Sequence, residues 1–430
     1  MNAGLDTDAN QLLQNRVQRL RSELDHEKVP ITNPETLPAS LRADSDLVLD
    51  VLCEEIVHAR YVEVHEGHRP SYGCFIIPDL EAIGSGAGFA LAALRTSEGE
   101  NPTVGPDLDL RLLVDGEQTF LLRDVHGRVA MGTIESPSDE LSLIQMCRNL
   151  SGVCVQRQRS GRIQLLMEGI VCINDDYDWR WLITARRSLP SILTSLNPPG
   201  DLLERVSVHL GEILDLCVHL LSPRGIGATL VWQIGSHGPI GSVSNQPSKL
   251  PAVLNVFRRQ DRFAIVSLLA SVDGACFISS EGDILNYWAM LDPSSAAKDL
   301  VAEQGGTRHT SAKRYSFDEP RSLVVVVSTD GPVTVFSDGA RLARLADPAL
   351  DRGRDWMTRL NLADGFEIST GDEQLECFNC GKQLHIEVDT HPDADRSETV
   401  ECPVCMAEGL RNYERVIRLH VRVAKEWGPH

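Results

Sequence analysis

No apolar stretch in these 430 residues approaches the roughly 18 that a membrane-crossing helix needs. The opening Met1-Asn2-Ala3-Gly4-Leu5-Asp6 lacks the basic and apolar blocks of a secretory signal. Positive charge is scarce too: 41 Lys and Arg face 61 Asp and Glu, a formal net charge of −20. Such a chain repels polyphosphate backbones at long range, so only a local basic patch could hold nucleic acid. A single nucleotide is a different case, because a few local donors and a metal ion capture its phosphates. A disulfide framework is missing as well. Cys53, Cys74, Cys147, Cys154, Cys172, Cys217 and Cys276 are scattered singly and read as buried small hydrophobes in a reducing compartment. Glycine (33) and proline (22) stay at ordinary levels, which excludes collagen-like and largely disordered chains. The expectation is a cytoplasmic protein without a membrane partner, of about two to four domains.

Residues 1–45 are polar, with Leu13, Val17, Leu20 and Leu24 on one helical stripe too short for a coiled coil. They predict a helix packed on its own domain, then a Pro-bearing linker. Across 46–198 short apolar runs alternate with turn residues (Cys74–Pro78, Thr119–Leu122, Val153–Val155, Ile163–Leu166), predicting a mixed α/β domain rich in strand. Cys53, His58, His65, His68 and Cys74 within it match no compact ligand spacing and read as structural. Pro198-Pro199-Gly200 breaks the chain. Residues 201–345 predict a second α/β domain, a mixed central sheet flanked by helices. Its expected helices are Asp201–Leu221, Leu250–Arg259 and His309–Phe317. Its expected strands are Gly227–Ile234, Gly274–Ser279, Ile284–Met290, Leu323–Ser328 and Val333–Phe336. The run Leu323–Val327 is apolar on both faces, as a central strand covered on both sides should be. Residues 346–374 read as a linker or capping helix, and 375–430 as a closing module.

That module holds Cys377-Phe378-Asn379-Cys380 and Cys402-Pro403-Val404-Cys405, with 21 residues between Cys380 and Cys402. Two residues between thiolates let both sulfurs of a tight turn face one ion. Four thiolates close a tetrahedral sphere, which predicts structural Zn²⁺ with no open catalytic position. The spacing resembles a zinc ribbon. Its intervening loop is acidic (Glu387, Asp389, Asp393, Asp395, Glu398, Glu401). Beyond it Arg411, Arg415, Arg418, Arg422 and Lys425 recur at three- and four-residue steps, predicting a C-terminal helix with a basic, solvated face. Contact of that face with nucleic acid is the less favoured alternative.

Three features in 201–345 carry chemistry. Asp273-Gly274-Ala275 sets a carboxylate at the mouth of a strand. Gly305-Gly306-Thr307-Arg308-His309 opens a helix, bringing backbone N–H groups, a hydroxyl and two nitrogen-bearing side chains to its positive end. Ser328-Thr329-Asp330-Gly331 turns off the central strand with another hydroxyl and carboxylate. Phosphate donors beside two carboxylates suit metal-assisted phosphoryl chemistry.

In order and spacing these motifs, with the lead-in Arg224-Gly225-Ile226-Gly227-Ala228-Thr229-Leu230-Val231, resemble the diadenylate cyclase domain of the DNA-integrity-scanning (DisA) family over about residues 205–340. The resemblance implies condensation of two ATP into cyclic di-AMP with release of pyrophosphate, using Mg²⁺ or Mn²⁺, in a face-to-face homodimer. It implies that Asp273 binds the metal and helps activate the ribose 3′-hydroxyl. Gly274 and Ala275 would allow close approach of the nucleotide. Gly306, Thr307, Arg308 and His309 would hold the phosphates, with Ser311 and Ser328 in support and Asp330 as a second carboxylate. Thr310 stands where the family usually has Arg, a loss of about 1.5–3 kcal/mol for a charge-assisted bond, and Arg314 lies one turn beyond it. The helix-hairpin-helix module of the DNA-scanning members has no counterpart here, and the order of domains resembles the branch with a sensor region ahead of the cyclase. Two other readings stay open: a nucleotide-binding signalling module without turnover, and a nucleic-acid-binding regulator using the ribbon.

Overall fold

A computed structural model describes residues 3–61, 70–81, 83, 90–91, 95–96, 99–100, 110–134, 138–175, 178–234, 242–346, 369–390, 397–414 and 416–424. It divides the chain into two compact units, residues 1–187 and 188–430. The linker reading over 347–368, and His65, His68, Arg415 and Lys425, lie outside the described residues.

In the first unit the leucine stripe forms the helix Ala3–Glu27, of which Leu20 and Leu24 are buried while Leu13 remains exposed. A second helix, Ser45–Tyr61, follows short 3₁₀ turns. Each short apolar run becomes a strand. One sheet has the order 178–183, 170–175, 163–167, 153–157, 72–77, 119–124, 129–133, 90–91. Tyr72–Ile77 sits inside it, parallel to Thr119–Asp124 and antiparallel to Val153–Arg157. Strand period two sorts its side chains. Phe75 and Ile77 join Leu143, Ile144 and Cys147 of the helix Glu140–Leu150 in one core. Tyr72, on the other face, donates to Glu55 of Ser45–Tyr61. Cys53 and Cys74 are buried free thiols and His58 packs edge-on against Tyr72, so the described members of that set are structural.

The second unit carries a six-stranded sheet in the order 284–289, 275–278, 228–233, 322–327, 333–337, 340–345. The Val-rich run Ser322–Val327 is central and wholly buried, as its two-sided apolarity predicts. Ala312 and Tyr315 of the helix Thr307–Asp318 cover one face. The apolar helix Gly200–Leu216 continues in a wider π turn, Cys217–Leu221, against the same strand. By length and composition Gly200–Arg224 could cross a membrane, but 67% of its most apolar window is buried inside the structure. A core helix accounts for it.

Two expected helices are absent. Leu250–Arg259 runs irregularly beside Ile284–Ala289, bridging Ser248 to Tyr287 and Asn255 to Asp283, and the helix comes later, at Arg262–Ser271. Asn255 explains the exchange. Its amide donates to Glu281 and Asp283 while its oxygen accepts from the Phe257 N–H, a local set of bonds that competes with a helix. The basic C-terminal helix is instead a strand, Val416–Val423, antiparallel to Gln383–Thr390. Val416, Ile417, Val421 and Val423 favour pleated backbone. The pairing sets Arg418 opposite Asp389 and His420 opposite Glu387, and Arg422 lies 2.9 Å from Glu387. Arg422 of the basic stripe and Glu387 of the acidic segment are thus partners across the sheet. Ser369–Glu376 completes it, so the expected linker ends before 374.

Candidate functional site

The helix Thr307–Asp318 and the central strand Ser322–Val327 form a tight antiparallel hairpin. Twelve helical residues rise about 18 Å and six strand residues about 20 Å, so the helix begins where the strand ends. Ala228–Gln233 pairs antiparallel with the central strand and parallel with Ala275–Ile278, which brings both their N-terminal ends to that edge. Asp273, the Thr307-Arg308-His309 turn and Ser328, up to 55 residues apart in sequence, therefore share one edge of the sheet.

From one helical turn, Arg308 and His309 reach in two directions. The Arg308 Nη2 lies 3.0 Å from Asp273 Oδ1, and the Asp273 side chain is 74% exposed. Oδ1 also accepts the Gly274 N–H at 2.9 Å. The Gly274 N–H and the Arg308 guanidinium hold the Asp273 carboxyl below its usual range. Gly274 has φ +91°, and a Cβ there would lie 2.9 Å from the Ala289 oxygen, so backbone geometry already demands the glycine. His309 Nε2 stands 3.5 Å from Ser328 Oγ, the outer limit of a hydrogen bond. Burial, then the neighbouring Arg344 and Arg308, lower the His309 pKa, with Asp330 opposing, so its ring is neutral near pH 7. Asp330 is exposed in the turn after Ser328, which Ser222 braces through a 2.6 Å bond to the Gly331 carbonyl. Ser311 is engaged within its helix, donating to the Arg308 carbonyl, while Ala275 is buried at the start of its strand. Gly306 is the residue before the helix and Thr307 its first.

Thr310 is not a vacant phosphate ligand. Its Oγ1 accepts the Gln304 N–H at 3.2 Å and lies 3.3 Å from the Gln304 carbonyl, pinning the loop ahead of the helix. Arg314 Nε donates to the Val301 carbonyl at 3.2 Å, and its Nη2 lies 3.7 Å from Glu303. A cleft of about 430 Å³ opens on this side of the helix start, lined by Lys298, Gly306, Thr307, Thr310, Ser311 and Arg314 among others. Asp273, Arg308 and His309 do not line it. Sequence reasoning passed over Gly227 as a binding-site residue. A Cβ there would come within 2.5 Å of an Arg308 guanidinium nitrogen, so the glycine makes room for that side chain. The signal was its position immediately before the strand.

The four module cysteines hold their sulfurs within 4.8 Å of one another. Cys377 to Cys405 is 3.6 Å and Cys380 to Cys402 is 3.7 Å. A tetrahedral ion with Zn–S near 2.3 Å has sulfur–sulfur edges of about 3.8 Å. The donor set fits a zinc-sized ion. Yet the module is not a separate bead, since Cys377, Cys402 and Val404 share a core with Val301, Ala340 and Phe317 of the preceding α/β domain. Lys313 of the Thr307–Asp318 helix is only 1% exposed. Burial lowers its pKa, opposed by Cys402 and Cys405.

Comparison with family models finds two matches. Residues 216–341 match the DisA bacterial checkpoint controller nucleotide-binding family, and residues 35–182 match a family described as probable sensor domain DACNK. Searches of curated proteins and of solved structures returned no match. The first match spans Gly227, Asp273, Arg308, His309 and Ser328, all at the edge described above. Residues 216–341 thus belong to the DisA-type nucleotide-binding domains and follow a region that matches the probable sensor domain DACNK.

Proposed function

We propose that this chain binds ATP at the Asp273–Arg308–His309 edge and, with a second copy facing it, condenses two ATP into cyclic di-AMP. The observation that carries the reading is the exposed Asp273 carboxylate held 3.0 Å from Arg308 at a helix mouth rich in backbone N–H groups. In each half-reaction a ribose 3′-oxygen attacks the α-phosphorus of the facing ATP. A 3′-O–P bond forms, the bond between the α-phosphorus and the bridging oxygen breaks, and pyrophosphate leaves with the electron pair. The 3′-hydroxyl proton passes to solvent. Two such steps close the ring, and the dimer supplies proximity and alignment.

Asp273 suits a Mg²⁺ or Mn²⁺ ligand better than a proton store, because its neighbours favour the carboxylate. Both of its bonds fall on Oδ1, which leaves Oδ2 toward the open edge. When bound, the divalent ion supplies charge neutralisation at the phosphates. Arg308 and the N–H groups following Gly306 hold the triphosphate, joined by the Thr307 hydroxyl. His309 offers a ring N–H, with Ser328 beside it. Gly274 and Ala275 shape the floor, Ser311 braces the helix start, and Asp330 is the second carboxylate at the rim. The four cysteines hold structural Zn²⁺.

A second reading has its own support. Thr310 and Arg314 spend their polar atoms on the Val301–Gln304 loop, so this site carries fewer free cations than the family pattern. It would then bind nucleotide without turnover. Incubating the full chain with ATP and Mn²⁺ and recording a mass spectrum separates the two. A dinucleotide with pyrophosphate supports the cyclase; unchanged ATP that is nevertheless retained by the protein supports the second reading, and no retention removes both.

A further inference from the structure

The loop leading into the Thr307-Arg308-His309 turn is fastened almost residue by residue. The Val301 carbonyl is held by Arg314, and Gln304 by Thr310 on both its N–H and its carbonyl. Upstream, Ser294 caps the short helix Ser295–Leu300 and bonds both oxygens of Asp318 at the far end of the Thr307–Asp318 helix. One fastening comes from outside. The Ala302 N–H donates to the carbonyl of Val404, a residue between Cys402 and Cys405, at 3.3 Å.

The same outside element grips the helix itself. Val404 packs in a core with Val301 and Phe317. Gly339, at φ +76°, lies so close to both Phe317 and Val404 that a Cβ would meet each at 3.0–3.1 Å. Lys382 stands 4.7 Å from the Phe317 ring centroid and 3.5 Å from Asp338. Val404 sits between two ligands, so its position depends on the Cys402–Cys405 turn, which a bound ion rigidifies.

We propose that the cysteine module is a positioning element of the nucleotide site: with a divalent ion on its thiolates it fixes the Val301–Gly306 loop and the Thr307-Arg308-His309 turn in the phosphate-binding conformation. Its effect on nucleotide rests on the ATP-binding reading above; its effect on the loop does not.

The test compares the zinc-loaded full chain with the chelated one. Without nucleotide, amide exchange over residues 302–309 should be about tenfold slower in the loaded form. Affinity for α,β-methylene-ATP should fall about tenfold on chelation, and affinity for adenosine, which lacks phosphates, less than about twofold. Val404→Ala leaves all four ligands in place, verified by cobalt–thiolate absorption. It should reproduce about a threefold part of the loss, which Val404→Ile should restore. Unchanged exchange at 302–309 in a chain shown to be metal-free overturns the proposal, as does an equal loss for adenosine and the analogue. Should neither form bind the analogue, the ATP reading fails, while the exchange result still decides whether the module positions the loop.

Discussion

The two units use the same pair of groups, carboxylate and guanidinium, to opposite ends. In the first, Glu55 is fully buried, with Arg111 at 2.7 Å, Arg123 at 2.6 Å and the Tyr72 hydroxyl donating to it. Burial pushes the Glu55 carboxyl up, but the Arg111 and Arg123 guanidiniums outweigh it and hold it down to about 2. In the second, Asp273 meets one guanidinium at 3.0 Å and one backbone N–H at 2.9 Å, and most of its side chain is open to solvent. A carboxylate enclosed by partners has no valence left for a ligand and serves the fold. One that is half-paired at a rim contributes little to stability and keeps an oxygen for something that arrives.

Breaking the closed pair should have the largest effect. Glu55→Ala removes the buried carboxylate that Arg111, Arg123 and the Tyr72 hydroxyl share, and should cost about 3–5 kcal/mol in a urea titration of the first unit's unfolding. The same network predicts acid sensitivity. A carboxyl depressed from 4.5 to about 2 stabilises the fold fully above pH 4.5 and loses that contribution, about 3 kcal/mol, as the pH falls toward 2. A midpoint in denaturant that does not move between pH 5 and pH 2.5 would contradict it.

Asp273→Asn should do the reverse: nucleotide turnover lost by more than about 100-fold, with unfolding free energy within about 0.5 kcal/mol of the parent. Comparable loss of stability would erase the contrast between the pairs. Thr310 sharpens it further. Thr310→Val keeps the shape but drops the Gln304 bonds, each worth about 0.5–1.5 kcal/mol, and should weaken triphosphate binding in calorimetry by about three- to tenfold. Thr310→Arg, though it restores the family residue, should weaken binding as well. A gain would show that the missing cation matters more than the tether.

The smallest effect concerns pH. His309 has a lowered pKa in the folded protein, so its neutral form is preferred; that contribution is present above the ordinary histidine value of about 6.5 and declines as pH falls below it. A bound triphosphate favours the imidazolium and draws a proton in. ATP affinity should therefore rise as pH drops from about 7.5 to 5.5, by less than tenfold per pH unit, and His309→Gln should flatten the slope.

Several elements were legible because local chemistry and tertiary role agree. The Leu323–Val327 run, apolar on both faces, is the central strand it suggests, and the two CxxC turns bring four sulfurs within 4.8 Å of one another. Asp273, just ahead of a strand, and Arg308 and His309, in the first turn of a helix, stood out as candidates by that position. Arg411–Lys425 failed for a definite reason: residues at 418 and 422 share a face at both helical and strand period, and charge spacing alone does not separate them. The pairing of Arg418 with Asp389 decided it. Asn255 likewise diverted a stretch whose apolar residues suited a helix.

By itself the amino-acid order singled out the candidate segments: a cysteine quartet, an Asp-Gly pair ahead of a strand, and a Gly-Gly-Thr-Arg-His helix start, each a short-range pattern of backbone and side chain. The tertiary structure alone decided what those groups are free to do. It engaged the Thr310 hydroxyl with Gln304, set Gly227 under Arg308, and joined the cysteine module to Val301 and Phe317 in one core. The physical reason is that a polar atom's availability depends on what lies within about 3.5 Å of it, and for Arg308 and His309 those neighbours, Asp273 and Ser328, come from distant parts of the chain.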